Sequence, residues 1–183
     1  MAVFEAASGN IAVRDFQPEL ISDKELNTIL EAARLTQSAK NLQPWYFVVI
    51  KERNTLDEIA GLMKRDIDED LLKKSPMAVA IIGDTRSEFW LFDLGRVAQT
   101  MTLVAWELGI GSCIISGPEP PDRENYRTRA GKILGVTDRL RLQELIVFGY
   151  PKKNTRVMRK NRKQLKEITF AERFGQPLSF RGH

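Results

Sequence analysis

Ser38-Ala39-Lys40-Asn41-Leu42-Gln43-Pro44-Trp45 runs directly into Tyr46-Phe47-Val48-Val49-Ile50. A polar loop carrying two amide side chains ends at a rigid Pro-Trp step, and an unbroken apolar run follows. Pro44 holds its φ near about −65° and has no N–H to donate. It also biases Gln43 toward extended backbone, which restricts the direction of the Gln43 side chain. Asn41 and Gln43 each present donors and an acceptor together. That pair suits a ligand whose edge alternates C=O and N–H groups. The same amides equally suit a helix-to-strand loop that caps its own backbone, and at this point both readings stand. Trp45–Ile50 is rich in β-branched and aromatic residues and reads as a central strand buried on both faces.

Upstream, residues 1–20 are mostly irregular, with a short helix before Ile11 and Phe16 as an anchor. Ser22-Asp23-Lys24-Glu25 fits a capping box, and Leu26, Ile29, Leu30 and Ala33 continue it at helical spacing to about Thr36. Downstream, Asn54–Glu58 opens a second helix with a capping signal, and Lys64–Lys74 is a charged surface segment. Met77–Ile82 is a second buried strand, stopped by Gly83-Asp84. The longest helical pattern runs from about Ser87 to Leu108, with Leu94, Val97, Ala98, Met101 and Ala105 on one stripe. It serves either as the central core helix or as a dimer seam. Cys113–Ser116 reads as a short strand, Asp122–Leu134 as a helix ending at Gly135, and Leu142–Tyr150 as the last central strand, which Pro151 ends. Helices interleaved with buried strands indicate one layered α/β or α+β domain.

Composition narrows the chemistry. The 183 residues are 43% hydrophobic and 28% charged, enough for one domain with a sizeable core. No apolar run approaches the ~18 residues of a membrane span. The N-terminus lacks the basic and apolar regions of a signal peptide, so the cytoplasm is the expected location. The one cysteine, Cys113, excludes an intrachain disulfide and reads as a small buried hydrophobe. A single histidine, His183, argues against Ser-His-Asp, Cys-His and multi-His metal sites. The acidic residues of Asp66–Asp70 have no EF-hand spacing, and no metal is expected. Gly109-Ile110-Gly111 follows no strand and lacks a third glycine at the dinucleotide spacing, and no Walker motif is present. Chemistry therefore rests on amides, carboxylates and cations, or on a cofactor.

Charge is local. Eight basic residues and no acidic one lie between Lys152 and Lys166, and removing them from the net +4 leaves −4 for the rest. Such a cluster marks a phosphate ligand, a nucleic-acid patch or a solvated segment. Tyr150 is the only aromatic close to it, and no nucleic-acid motif accompanies it, so nucleic-acid binding ranks low. The tail from Ile168 keeps Phe170, Phe174, Leu178 and Phe180, too apolar for a solvated tail.

Taken in order, these stretches resemble the nitroreductase family, FMN-dependent homodimeric oxidoreductases. Ser38–Trp45 matches its Ser-x-x-Asn-x-Gln-Pro-Trp loop, the most specific piece. Val13-Arg14-Asp15-Phe16 resembles the end of its Arg-Arg-Ser-x-Arg-x-Phe motif. Asp93 to Gln99-Thr100 resembles its long central helix, and Gly109–Cys113 the turn leading to the flavin's reactive edge. Gly149-Tyr150-Pro151 and Arg162–Leu165 resemble the closing strand and basic C-terminal element. The resemblance implies a three-layer α+β fold over residues 1–183, with a central mixed sheet covered by helices. It implies an intertwined homodimer with FMN at the interface, and a tail from about residue 166 to 183 packed on its own or the partner subunit.

By the same resemblance, Arg14 contacts the isoalloxazine or its ribityl region. Ser38, Asn41 and Gln43 line the polar edge of the ring, and the backbone of Ile115, Ser116 and Gly117 approaches N5 and O4. Lys160 and Arg162 hold the phosphate. No side chain is catalytic, because the flavin carries hydride from NADH or NADPH to an electron-poor nitroaromatic or quinone in a ping-pong cycle. Asn10-Ile11-Ala12 stands where the family has Arg-Arg-Ser, which removes one cation and one hydroxyl. One lost charged contact weakens binding about tenfold to a hundredfold. A ligand-binding protein with a degenerate phosphate site is the alternative reading, and nucleic-acid binding through residues 152–166 a lesser one.

Overall fold

The computed structural model describes residues 2–63, 67–117, 122–153 and 161–178. Four strands form one sheet: β1 (Trp45–Ile50), β2 (Met77–Asp84), β3 (Gly111–Ile115) and β4 (Leu140–Gly149). They pair in the order β1-β2-β4-β3, every neighbour antiparallel. The expected mixed character enters only through an isolated parallel bridge between Ala12 and Ser112 on the free edge of β3. The helices in chain order are α1 (Ala2–Gly9), α2 (Asp23–Arg34), α3 (Arg53–Ala60), α4 (Ile67–Lys74), α5 (Trp90–Glu107), α6 (Asp122–Ile133) and α7 (Leu165–Ile168).

The alternation of strand side chains makes three layers. Ala78, Ala80 and Ile82 of β2 face one core with Leu56 and Ile59 of α3, Leu72 of α4 and Tyr126 of α6. Met77, Val79 and Ile81 face the other, with Ile29 of α2 and Leu94 and Met101 of α5. Burying one such large side chain contributes roughly 1.5–3 kcal/mol. This geometry makes α5 the central core helix. Its opposite face leaves Leu91 and Phe92 exposed.

Several expectations change. β1 is an edge strand, not a central one: only Trp45 and Ile50 are buried, and Tyr46 is half exposed. Its apolar run arises because both cores reach beneath it, Phe47 and Val49 on one side and Val48 on the other. β2 runs on through Asp84, β3 spans Gly111–Ile115, and β4 begins at Leu140. Helix α3 starts at Arg53 with no side-chain cap. Its start is set by Arg53, which pairs with Asp57 and donates to the carbonyls of Leu72, Lys73 and Ser75. In the tail, Leu165, Ile168 and Phe174 are exposed, and the rings of Phe170 and Phe174 lie 4.6 Å apart.

The capping box at α2 forms as expected. The Ser22 hydroxyl receives the Glu25 N–H, and the Glu25 carboxylate receives the Ser22 N–H at 2.8 Å. The Tyr150 hydroxyl donates to the same carboxylate at 2.7 Å, tying α2 to the end of β4. The Ser22 and Tyr150 hydroxyls hold Glu25 below the ordinary carboxylate value of 4.5. A folded-state pKa below the unfolded one stabilises the fold above the unfolded value, and the contribution fades as pH falls through the folded value. Tyr150→Phe is therefore expected to destabilise the protein at pH 7 and to cost less at pH 3. Urea melts at the two pH values check this; an equal cost at both would show that the bond does not favour the ionised carboxylate.

Candidate functional site

The N-terminal segment crosses the sheet where β3 begins and β4 ends. Val13 N–H donates to the Ser112 carbonyl at 2.9 Å, and Phe16 bridges to Pro151. Gly111 permits the crossing: a Cβ there would lie 2.8 Å from Cγ1 of Val13. This places Arg14 near the residues that follow β4, where the Lys152 N–H donates to the Asp15 carbonyl at 3.1 Å. The two exposed arginines, from opposite ends of the chain, line one cavity of about 390 Å³ with Asn10, Ala12, Ser112 and Ile114. Cys113 lines it too, buried as expected, and burial pushes its thiol pKa up.

Asn10 does not replace the missing arginine. Its amide donates to the Thr102 hydroxyl of α5 at 3.2 Å, and Thr102 in turn donates to the Gln99 carbonyl. The cations facing this cavity are Arg14 and Arg162. Lys160 lies outside the described residues.

The loop of Ser38, Asn41 and Gln43 does not line this cavity. It forms a 3₁₀ turn, Ala39–Asn41, held from three sides. The fully buried Asp93 carboxylate accepts the Ala39 N–H at 3.2 Å and the Arg96 guanidinium at 3.0 Å. The Ser38 hydroxyl accepts the Gln43 N–H at 2.9 Å, and the Pro44 carbonyl accepts the Asp84 N–H at 2.9 Å. Lys40, Asn41 and Gln43 all have positive φ, 52°, 54° and 48°. The extended backbone expected of Gln43 before a proline is thus overturned, because the hydrogen bond to Ser38 closes the loop against that bias. Left-handed non-glycine residues cost of order 1–3 kcal/mol each and cluster where a loop serves a site. The Gln43 amide also reaches the Asn41 carbonyl at 3.3 Å. The loop therefore caps itself, while the amide oxygen of Gln43 and the side chain of Asn41 make no hydrogen bond among the described residues.

At the end of β3, Ile115 is fully buried and Gly117 has φ +81° against the Tyr126 ring. Neither they nor Ser116 line the 390 Å³ cavity; their strand neighbours do. Sequence reasoning missed the role of Asp93, whose signal was a lone acid among Leu91, Phe92 and Leu94. It also missed Asp84, Arg86 and Ser87 after β2, which line a second cavity with Gln43. Among the described residues there is no cluster of metal ligands, and no helix is long and apolar enough to cross a membrane.

The donor set fits a flavin mononucleotide. Two guanidiniums suit a phosphate or an anionic ring edge. The model of the nitroreductase family matches residues 11–150. A relative from Archaeoglobus fulgidus, provisionally named an NADH dehydrogenase/NAD(P)H nitroreductase, is 28% identical over 146 residues, covering 77% of this chain and 80% of its own. An FMN-dependent nitroreductase from Clostridium difficile superposes with a TM-score of 0.80 at 23% identity, covering 93% of this chain and 99% of that one. NADPH:FMN oxidoreductase from Vibrio harveyi, solved with NAD+, gives 0.82 at 18% identity, with 96% and 79% covered.

Proposed function

Because the chain belongs to the nitroreductase family, we propose that it is an NAD(P)H-dependent flavin oxidoreductase that reduces an electron-poor small molecule, such as a nitroaromatic or quinone. The observation that carries this is the meeting of Arg14 and Arg162 on one cavity beside the free edge of β3. Bound FMN supplies hydride uptake from the nicotinamide and hydride delivery to the acceptor. Arg162, with Lys160, holds the phosphate. Arg14 places positive charge beside the ring, where negative charge grows on reduction. Backbone groups of Ile115, Ser116 and Gly117 orient the N5 and O4 edge. Ser38, Asn41 and Gln43 present hydrogen-bonding groups to a ring edge.

The loop and the arginine cavity occupy different parts of one chain, which supports a site completed by a second copy in a homodimer. The exposed Val3, Phe4, Leu91 and Phe92 of α1 and α5, and the exposed tail residues Ile168 and Phe174, supply the apolar surface for that contact. The whole of residues 1–183 then acts as one domain, and a cytoplasmic location agrees with this reading.

The purified protein is expected to show a flavin absorbance band, present as isolated or after FMN addition, that NADH or NADPH bleaches. A colourless protein with no FMN binding on titration would overturn the proposal. Arg162→Ala is expected to weaken FMN binding about tenfold, the size of one charged hydrogen bond. Unchanged affinity would remove Arg162 from the phosphate site. Bound FMN with no turnover of any acceptor would favour the ligand-binding alternative.

A further inference from the structure

We propose that the cavity between the Gln43-Pro44 step and the turn after β2 binds the acid group of an aromatic acceptor, so that the enzyme selects anionic over neutral electron-poor arenes. The proposal deepens the oxidoreductase reading and rests on it. The cavity measures about 340 Å³ and is lined by Gln43, Pro44, Tyr46, Asp84, Arg86 and Ser87. That is the low end of the roughly 300–1,000 Å³ usual for small-molecule sites, the size for one substituted ring rather than a dinucleotide.

Charge favours an anion. The Asp84 carboxylate, 6% exposed, accepts Nε and Nη2 of Arg86 at 3.1 and 2.7 Å and Nε of Arg139 at 3.0 Å. Arg86, which lines the cavity, and Arg139, which lies outside it, share this one carboxylate, and both are half exposed or more, so the group carries one net positive charge at the mouth of the cavity. The bidentate contact fixes the plane of Arg86, and its Nη1 group makes no hydrogen bond among the described residues. A carboxylate fits such a fixed guanidinium edge.

A second, independent observation points to a ligand. Ser87 is 6% exposed, lines the same cavity, and its buried hydroxyl has no partner among the described residues. A buried hydroxyl left unpaired is costly and uncommon, and rotation about the Ser87 Cα–Cβ bond would turn it toward an oxygen held in the cavity. Tyr46, half exposed on the edge strand, supplies an aromatic face. Gln43 belongs to both this cavity and the proposed flavin-edge loop, which brings an arene held here by its acid group to the polar edge of the ring.

The test uses the FMN-loaded protein with 4-nitrobenzoate and its neutral isostere 4-nitrobenzamide. Binding is read by saturation-transfer NMR and turnover by NADPH oxidation. The benzoate is expected to bind about tenfold more tightly, one charge-assisted contact. Arg86→Gln should erase that preference through KM with kcat unchanged, and Ser87→Ala should reduce it. Asp84 keeps Arg139 as partner in Arg86→Gln, so the turn remains paired. Arg139→Gln removes the same net charge but no group that lines the cavity, so it should lower the preference by less than Arg86→Gln, which also removes the donor. Equal binding of the two arenes, or a preference untouched by Arg86→Gln, overturns the proposal. So does a loss of NADPH-over-NADH preference in Arg86→Gln with the arene preference intact, which assigns the cavity to the phosphate of the donor. If neither arene is reduced, the NMR preference alone decides the anion site, and the oxidoreductase reading is decided separately by FMN titration and bleaching with NADH or NADPH.

Discussion

Gly117→Ala is expected to destabilise the protein by about 2–5 kcal/mol, from left-handed backbone strain of roughly 1–3 kcal/mol and overpacking of a similar size. Gly117 has φ +81°, and a Cβ there would lie 2.3 Å from Cδ1 and 2.5 Å from Cε1 of Tyr126. Tyr126 is 3% exposed and packed in the core formed by α3, α4, α6 and the sheet, so its ring has no solvent-side position to move to. The strain has to be relieved by displacing the backbone after β3, which is the segment proposed to orient the flavin edge. Urea denaturation measures the first effect and FMN titration the second. The double variant Gly117→Ala/Tyr126→Leu separates the causes, since the smaller side chain removes the collision but leaves the φ strain. A single variant melting like the parent would show that the ring yields freely. Tyr126→Phe alone is expected to be nearly neutral, because the buried hydroxyl has no partner among the described residues.

Asp93→Ala is expected to cost about 2–3 kcal/mol, the loss of a buried charged acceptor and its packing. For a chain of this size that lowers Tm by roughly 4–12 °C. The Asp93 side chain is fully buried, and it is the group that fastens the Ser38–Trp45 loop to α5 through the Ala39 N–H. Without it that N–H loses its partner, while Arg96, exposed along most of its length, returns to water. Three residues of the loop sit at positive φ, a conformation that persists only while its neighbours hold it. The amide of Ala39 should therefore exchange with solvent much faster in Asp93→Ala, whereas Asp93→Asn, which keeps one acceptor oxygen, should lie between. Unchanged exchange at Ala39 would show that the loop holds itself.

What the sequence disclosed and what it hid divide along a physical line. The capping box at Ser22 and Glu25 was readable because both partners lie three residues apart in one turn. The burial of β2 was readable because an unbroken run of apolar residues means two covered faces. The edge position of β1 was not, because periodicity reports the faces of a strand and says nothing of its hydrogen-bonding neighbours. The backbone of Gln43 was misread because the bias imposed by Pro44 is weaker than the closure formed with Ser38. The motif order was enough to identify the family, and single stretches other than Ser38–Trp45 were not.

The sequence by itself determined the three-layer α+β class, the helix that threads the core, and the loop and cations that form the candidate site. These follow from spacing, side-chain chemistry and motif order, which are properties of neighbouring residues. Only the tertiary structure decided how they meet. The bridges Ala12–Ser112 and Phe16–Pro151 carry Arg14 across the sheet to the cavity that Arg162 also lines. The clamp of Asp93 on Ala39 holds the loop elsewhere, facing Arg86 and Ser87 across the second cavity. Those contacts join residues far apart in the chain, whose pairing is set by antiparallel strand register and core packing. The loop and the cations are therefore apart in the single chain.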